Sequence, residues 1–198
     1  MNAKFFDLKK EKQDRMINAA LKIFALNGYT HASTDDIVKE AHISKGLLFH
    51  YFESKIGVYS FLCDYSAKYY ALELSSAVDP SETEYFAIVK QIEAAKLQTL
   101  KAYPYMLFFI NSCLKETVPE ALLENESPKL QLENALGTIY ARADYAPLKA
   151  NSFTDRYLKM LEYTLNGQME DRLRDGSFNA EAVYAEGIAY IDVVSKLI

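Results

Sequence analysis

Nowhere along the chain do apolar and polar residues alternate for long enough to make a half-buried strand. Apolar residues recur instead at intervals of three and four, the spacing that gathers side chains on one face of an α-helix. Ile17, Ala20, Leu21 and Phe24 form one such stripe in a first helix expected over about residues 9–26. Asn27-Gly28 is a suitable stop. In "STDDIVKEA" Thr34 is the expected N-cap, and Asp35 and Asp36 suit the positive end of the helix dipole. Ile37 and Ala41 would face inward. Ser44 is the expected cap of a third helix after a tight turn, and a fourth restarts near Ser54.

All five prolines (Pro80, Pro104, Pro119, Pro128 and Pro147) lie beyond residue 79. Each marks a helix boundary, because proline lacks the N–H that a helix interior needs. They divide the remainder into helices over about 55–78, 82–102, 104–116, 128–143, 152–174 and 179–197. Ser127-Pro128 is read as N-cap followed by first helical residue, and Asp175-Gly176-Ser177 as a turn. The expectation is an all-α chain of about nine helices, with a head over 1–55 and a body over 56–198 joined through the fourth helix.

Charge divides along the same line. Residues 1–60 hold nine Lys/Arg against seven Asp/Glu, and the other 138 hold 13 against 20. A mildly basic head on an acidic body does not argue for a coating protein for nucleic acid but allows a local DNA reader. No apolar run approaches the roughly 18 residues of a membrane span, and "MNAKFFDLKKEK" is no signal peptide. Cys63 and Cys113 fit neither a metal site nor a disulfide framework; they read as reduced core cysteines of a cytoplasmic protein.

Three short helices with a tight turn between the second and third describe a helix-turn-helix. In "ISKGLLFHYFESK", Leu48 and Phe52 share a face and would pack on Ile37, Ala41 and Phe24. Lys45, Gly46, Leu47, Phe49, His50 and Tyr51 are then left on the other sides. A cation, a small residue and polar-tipped aromatics suit a major groove. On spacing alone, a buried amphipathic helix in an ordinary bundle is the competing reading.

The string "NAALKIFALNGYTHASTDDIVKEAHISKGLLFHYFESKIGVY", Asn18 to Tyr59, resembles the TetR family of bacterial transcriptional regulators. The resemblance lies in an Ala-rich helix ending in Gly-aromatic, then Thr, Ile, Ala, a Ser-x-Gly turn, aromatic-x-Tyr-Phe and Ser-Lys. It implies that Thr34 meets a phosphate. Lys45, Gly46 and Leu47 open the base-reading helix, His50 and Tyr51 flank it, and Lys55 anchors to phosphate. Two positions depart from the family pattern: Phe49, where a tyrosine is common, and His42, where a glycine is common. Asp35 is set aside because its charge opposes phosphate.

Residues 61–198 hold no histidine, no phosphate loop and no clustered ligands. Neither an enzyme nor a cofactor or metal site is expected. The 12 tyrosines and six phenylalanines of this region are either plain core or the wall of a ligand pocket. The resemblance implies a pocket for a small effector, with Asn111 and Tyr157 nominated as ligand contacts; Met160, Leu161 and Thr164 lie along the same side as Tyr157. Ile188, Ile191, Val194 and Leu197 keep the last helix apolar to its end, so the last two helices are expected to form a homodimer. The whole reads as a ligand-responsive regulator of a palindromic operator. The alternative is a protein-interaction module that keeps the head.

Overall fold

The computed structural model describes residues 3–148 and 153–198. Among them a short 3-10 turn, Ala3–Asp7, precedes nine α-helices. These are α1 (Lys10–His31), α2 (Thr34–Ala41), α3 (Lys45–Phe52), α4 (Lys55–Ala77), α5 (Tyr85–Ala102), α6 (Met106–Cys113), α7 (Pro119–Tyr140), α8 (Thr154–Asp175) and α9 (Ala180–Ser195). No strand occurs among the described residues; Glu84 and Asp144 form an isolated bridge. The expected start of the eighth helix, at Ser152, lies outside the described residues.

Local chemistry accounts for most helix ends. Gly28, at φ 67° and ψ 175°, breaks the regular winding of α1 as expected, and one further turn follows it. The Glu84 carboxylate accepts the Phe86 and Ala87 N–H groups, so α5 begins three residues later than its proline suggested. Gly176, left-handed at φ 78°, ends α8, and the Asn179 side chain accepts the Ala182 N–H at 2.8 Å to open α9.

Pro128 is a correction. It does not start a helix but lies inside α7, whose first residue is Pro119. An interior proline costs about 3 kcal/mol, so other contacts must hold the helix across it. Ala121, Asn125 and Leu132, spaced for one face, are all buried.

The chain forms two compact units. The first comprises Met1–Tyr69 and Ala102–Leu132, the second Tyr70–Lys101 and Glu133–Ile198. In the first, α1 packs against α2 and α6. Its centre is aromatic: Phe24, Tyr59 and Phe109 meet at centroid distances of 5.2–6.3 Å. In the second, α8 packs against α9. Phe86, Val89, Leu148, Leu161, Leu165 and Ile191 form its core.

That core also holds a buried carboxylate that the sequence did not single out. Glu93 accepts from Lys96 Nζ at 2.6 Å. Burial works to lower the Lys96 pKa, but the neighbouring carboxylate outweighs it and holds the ammonium above its ordinary value. A Cβ on Gly187 would stand 3.2 Å from Leu165 Cδ2 and 3.5 Å from Glu93 Oε2, so the glycine lets α9 sit close to this pair.

Ile191 is fully buried within its own unit and is not a surface residue of the last helix. The outward face of α9 carries Glu181, Ala185, Ala189 and Val193 instead, and Leu197 is exposed just beyond its end.

Candidate nucleic-acid interface

The helix-turn-helix closes over Phe24, Ile37, Ala41, Leu48 and Phe52, all buried. Ser33, not Thr34, caps α2: its hydroxyl accepts the Asp35 N–H at 3.1 Å. Thr34 is the first helical residue and half-buried. Local spacing alone left two adjacent hydroxyls to choose from. His42 takes the left-handed conformation at φ 51° and ψ 50°, which His adopts more readily than a β-branched residue. Its N–H closes on the Lys39 and Val38 carbonyls. Ser44 then caps α3 as expected, accepting the Leu47 N–H at 3.2 Å.

With Leu48 and Phe52 locked inward, α3 presents Lys45, Gly46 and His50 to solvent. Leu47 and Phe49 are half-buried. A Cβ on Gly46 would meet nothing within 4 Å, so the helix start offers open backbone. Lys45 pairs with Asp35 at 2.8 Å, both groups exposed. The aspartate set aside for its charge thus holds the lysine expected to read bases.

Tyr51 corrects the expectation that it lies on an outer side. It is only 7% exposed, with its ring 5.6 Å from Phe5. Phe5 itself is fully buried against Tyr51, Phe52 and Phe61. The adjacent phenylalanines at positions 5 and 6 were the signal: an N-terminal turn this apolar needs a surface to cover.

Lys55 is the first residue of α4, and its ammonium turns back to the end of α1. It donates to the Thr30 carbonyl at 3.2 Å and lies 4.6 Å from the centre of the Tyr29 ring. Glu116 completes this corner by accepting the Tyr29 N–H. Burial works to raise the Glu116 pKa. The Val118, Thr117 and Tyr29 N–H groups and the Lys55 charge outweigh it and hold the carboxyl below its ordinary 4.5.

The turn into α4 is tight. Glu53 stands at φ 67°, and the Ser54 hydroxyl accepts the Gly57 N–H at 3.1 Å. A Cβ on Gly57 would fall 2.0 Å from the Phe52 carbonyl oxygen. The closeness of this turn was not read from the sequence.

The two nominated ligand contacts are not brought together within either unit. Asn111 is half-buried on α6 in the first, and Tyr157 is half-buried on α8 in the second. Met160 and Thr164, expected beside Tyr157, face solvent; Met160 is 62% exposed.

The family model for bacterial regulatory proteins of the tetR family matches residues 16–59. The chain is 50% identical over 46 residues to an uncharacterized HTH-type transcriptional regulator, YuxN of Bacillus subtilis (strain 168). That stretch is 23% of this chain and 16% of YuxN, so the chain spans only a small part of that relative's length. Whole-chain likeness extends to solved structures. The TetR family transcriptional regulator PfmR from Thermus thermophilus has a TM-score of 0.59 at 19% identity, covering 92% of this chain and 94% of that one. The transcriptional regulator FadR from Bacillus subtilis, in complex with stearoyl-CoA, has a TM-score of 0.60 at 12% identity, covering 91% and 96%. At these identities the likeness is one of fold.

Proposed function

From the premise that this chain belongs to the TetR family of bacterial regulatory proteins, we propose that it is a ligand-responsive repressor. Its DNA-binding role as a transcriptional regulator is the family's; the repression, the effector and the dimer are our reading. The observation that carries it is the outward face of α3. Lys45, Gly46 and His50 stand clear of a core that fixes the helix beneath them. Lys45, Gly46, Leu47 and His50 read bases in a major groove. Thr34, at the start of α2, and Lys55, at the start of α4, contact phosphates. Tyr51 acts from behind by holding α3 against the N-terminal turn.

Residues 1–55 supply this head, and residues 56–198 bind the effector and a second copy of the chain. The outward faces of α8 and α9 support the dimer. Met160 and Tyr163 are 62% and 64% exposed, and Val193 is 58% exposed. Large apolar side chains left exposed on two packed helices suit an interaction surface. Two copies then place their α3 helices on successive major grooves of a palindrome, about 34–36 Å apart. The effector is a small, largely apolar molecule. The aromatic content of the body supports an apolar effector, and the FadR structure of similar fold holds stearoyl-CoA, whose acyl chain is apolar.

Enrichment of random duplexes by the purified chain, followed by titration across salt concentrations, tests the reading. A palindromic site bound by two copies, with log affinity falling linearly with log salt, is expected. Absence of any enriched sequence would overturn it.

A further inference from the structure

Cys63 and Cys113 stand 50 residues apart in the sequence, yet the fold joins them in one network behind the helix-turn-helix. Cys63 Sγ donates to Asn125 Oδ1 at 2.9 Å. The Asn125 amide donates to the Tyr59 hydroxyl at 3.1 Å and to the Cys113 carbonyl at 3.2 Å. The Tyr59 hydroxyl donates in turn to Cys113 Sγ at 3.4 Å. One side chain, Asn125, thus meets both cysteine residues, and the Cys113 side chain, with burial next, raises the Cys63 thiol above its ordinary value. Both cysteines are free; Cys63 is buried and Cys113 half-exposed.

We infer that Cys63 and Cys113 are an oxidation site for hydroperoxides, closing to an intramolecular disulfide that weakens DNA binding. Cys113, the less buried of the two residues, takes the peroxide. Its thiolate attacks one peroxide oxygen and breaks the O–O bond. The leaving oxygen takes up the proton lost from the thiol, and Cys113 becomes a sulfenic acid. The Cys63 sulfur then displaces hydroxide from the Cys113 sulfur. The S–S bond forms, and the Cys63 proton leaves with the hydroxide as water. Two thiols give two electrons to one peroxide.

The disulfide removes the proton that Cys63 donates to Asn125 and the thiol that accepts from Tyr59. Asn125 Oδ1 then loses its donor, and the Tyr59 hydroxyl loses its acceptor and keeps only the Asn125 amide. Tyr59 carries the disturbance to the head, because its ring lies 5.2 Å from Phe24 and 5.0 Å from Tyr29, both on α1. Tyr29 in turn seats Lys55, where α4 begins.

The test treats the reduced 198-residue chain with equimolar hydrogen peroxide. An intact mass lower by two hydrogens, in a monomer on denaturing gels, with dithiothreitol restoring the original mass, is expected. Cys63→Ser should instead accumulate a dimedone-reactive Cys113, and Cys113→Ser should leave Cys63 unreacted over the same time. Oxidised Cys113 without a disulfide in the wild type, or a disulfide only between chains, overturns the proposal. The disulfide form should bind a duplex enriched by the reduced protein roughly tenfold or more weakly, and unchanged affinity also overturns it. The DNA measurement rests on the proposed function: failure to enrich any duplex overturns that reading, while the mass measurements decide the cysteine chemistry independently.

Discussion

The two compact units differ in where their information lies. In the first, short-range motifs and structure coincide. The half-identical stretch shared with YuxN is 46 residues long, and the family model ends at residue 59. Caps, a left-handed His42 and a buried Leu48–Phe52 face fix one helix against two others and leave Lys45, Gly46 and His50 exposed on the remaining side. In the second, the helices are just as regular, but no motif marks a site. Its likeness to other proteins belongs to the whole-chain fold, at 12–19% identity for the two structures compared. A surface that must meet DNA constrains residue types position by position. A helical core constrains only volume and polarity, which many sequences satisfy.

Glycines give the sharpest way to break that contrast. Gly57→Ala in the first unit should be the most damaging, destabilising by roughly 3 kcal/mol or more, since its methyl would collide with a backbone oxygen. Urea denaturation followed by circular dichroism would show it. An unchanged midpoint would mean that the turn between α3 and α4 is not the rigid element described.

The next largest effect tests whether the second unit carries an interface. Met160→Glu combined with Val193→Glu should yield monomers in sedimentation. Operator affinity should fall by roughly a hundredfold or more, because each head then binds its half-site alone. A double variant that still sediments as a dimer would move the interface elsewhere. Replacing Ile191 would not make this distinction, because that side chain is core.

His50→Ala should change preference among operator variants by about 1–3 kcal/mol. Binding that weakens equally for every sequence would reassign His50 to phosphate.

Acid should reach the first unit through Glu116. Its carboxyl titrates below 4.5 when folded, so its contribution is complete above that value and disappears as the pH falls through the depressed one. Melting curves recorded as the pH is lowered should show a decline that Glu116→Gln makes shallower. Parallel curves for the two proteins would remove Glu116 as a support of the α1 end.

The smallest effect is expected at Gly137, exposed within the part of α7 that belongs to the second unit. A Cβ there meets nothing within 4 Å, and Gly137→Ala should stabilise by about 0.5–1 kcal/mol. Denaturant midpoints for Gly57→Ala and Gly137→Ala would then move in opposite directions.

By itself the sequence determined the helical class, the approximate run of nine helices among the described residues and the solvent-facing start of α3. These follow from contacts between residues three or four apart and from caps that act within one turn. Serine at position 44 and glycine at 176 could be read because their partners lie within a few positions. What only the tertiary structure decided depends on residues far apart in the chain. Phe5 arrives from the N-terminus to bury Tyr51, and Asn125 arrives from α7 to join two cysteines. Buried residues on either side hold α7 through Pro128. Ile191 turns inward while Val193 turns out. Helical periodicity says that a side will be buried, but which side, and against what, is set by the long-range packing of elements that no local pattern contains.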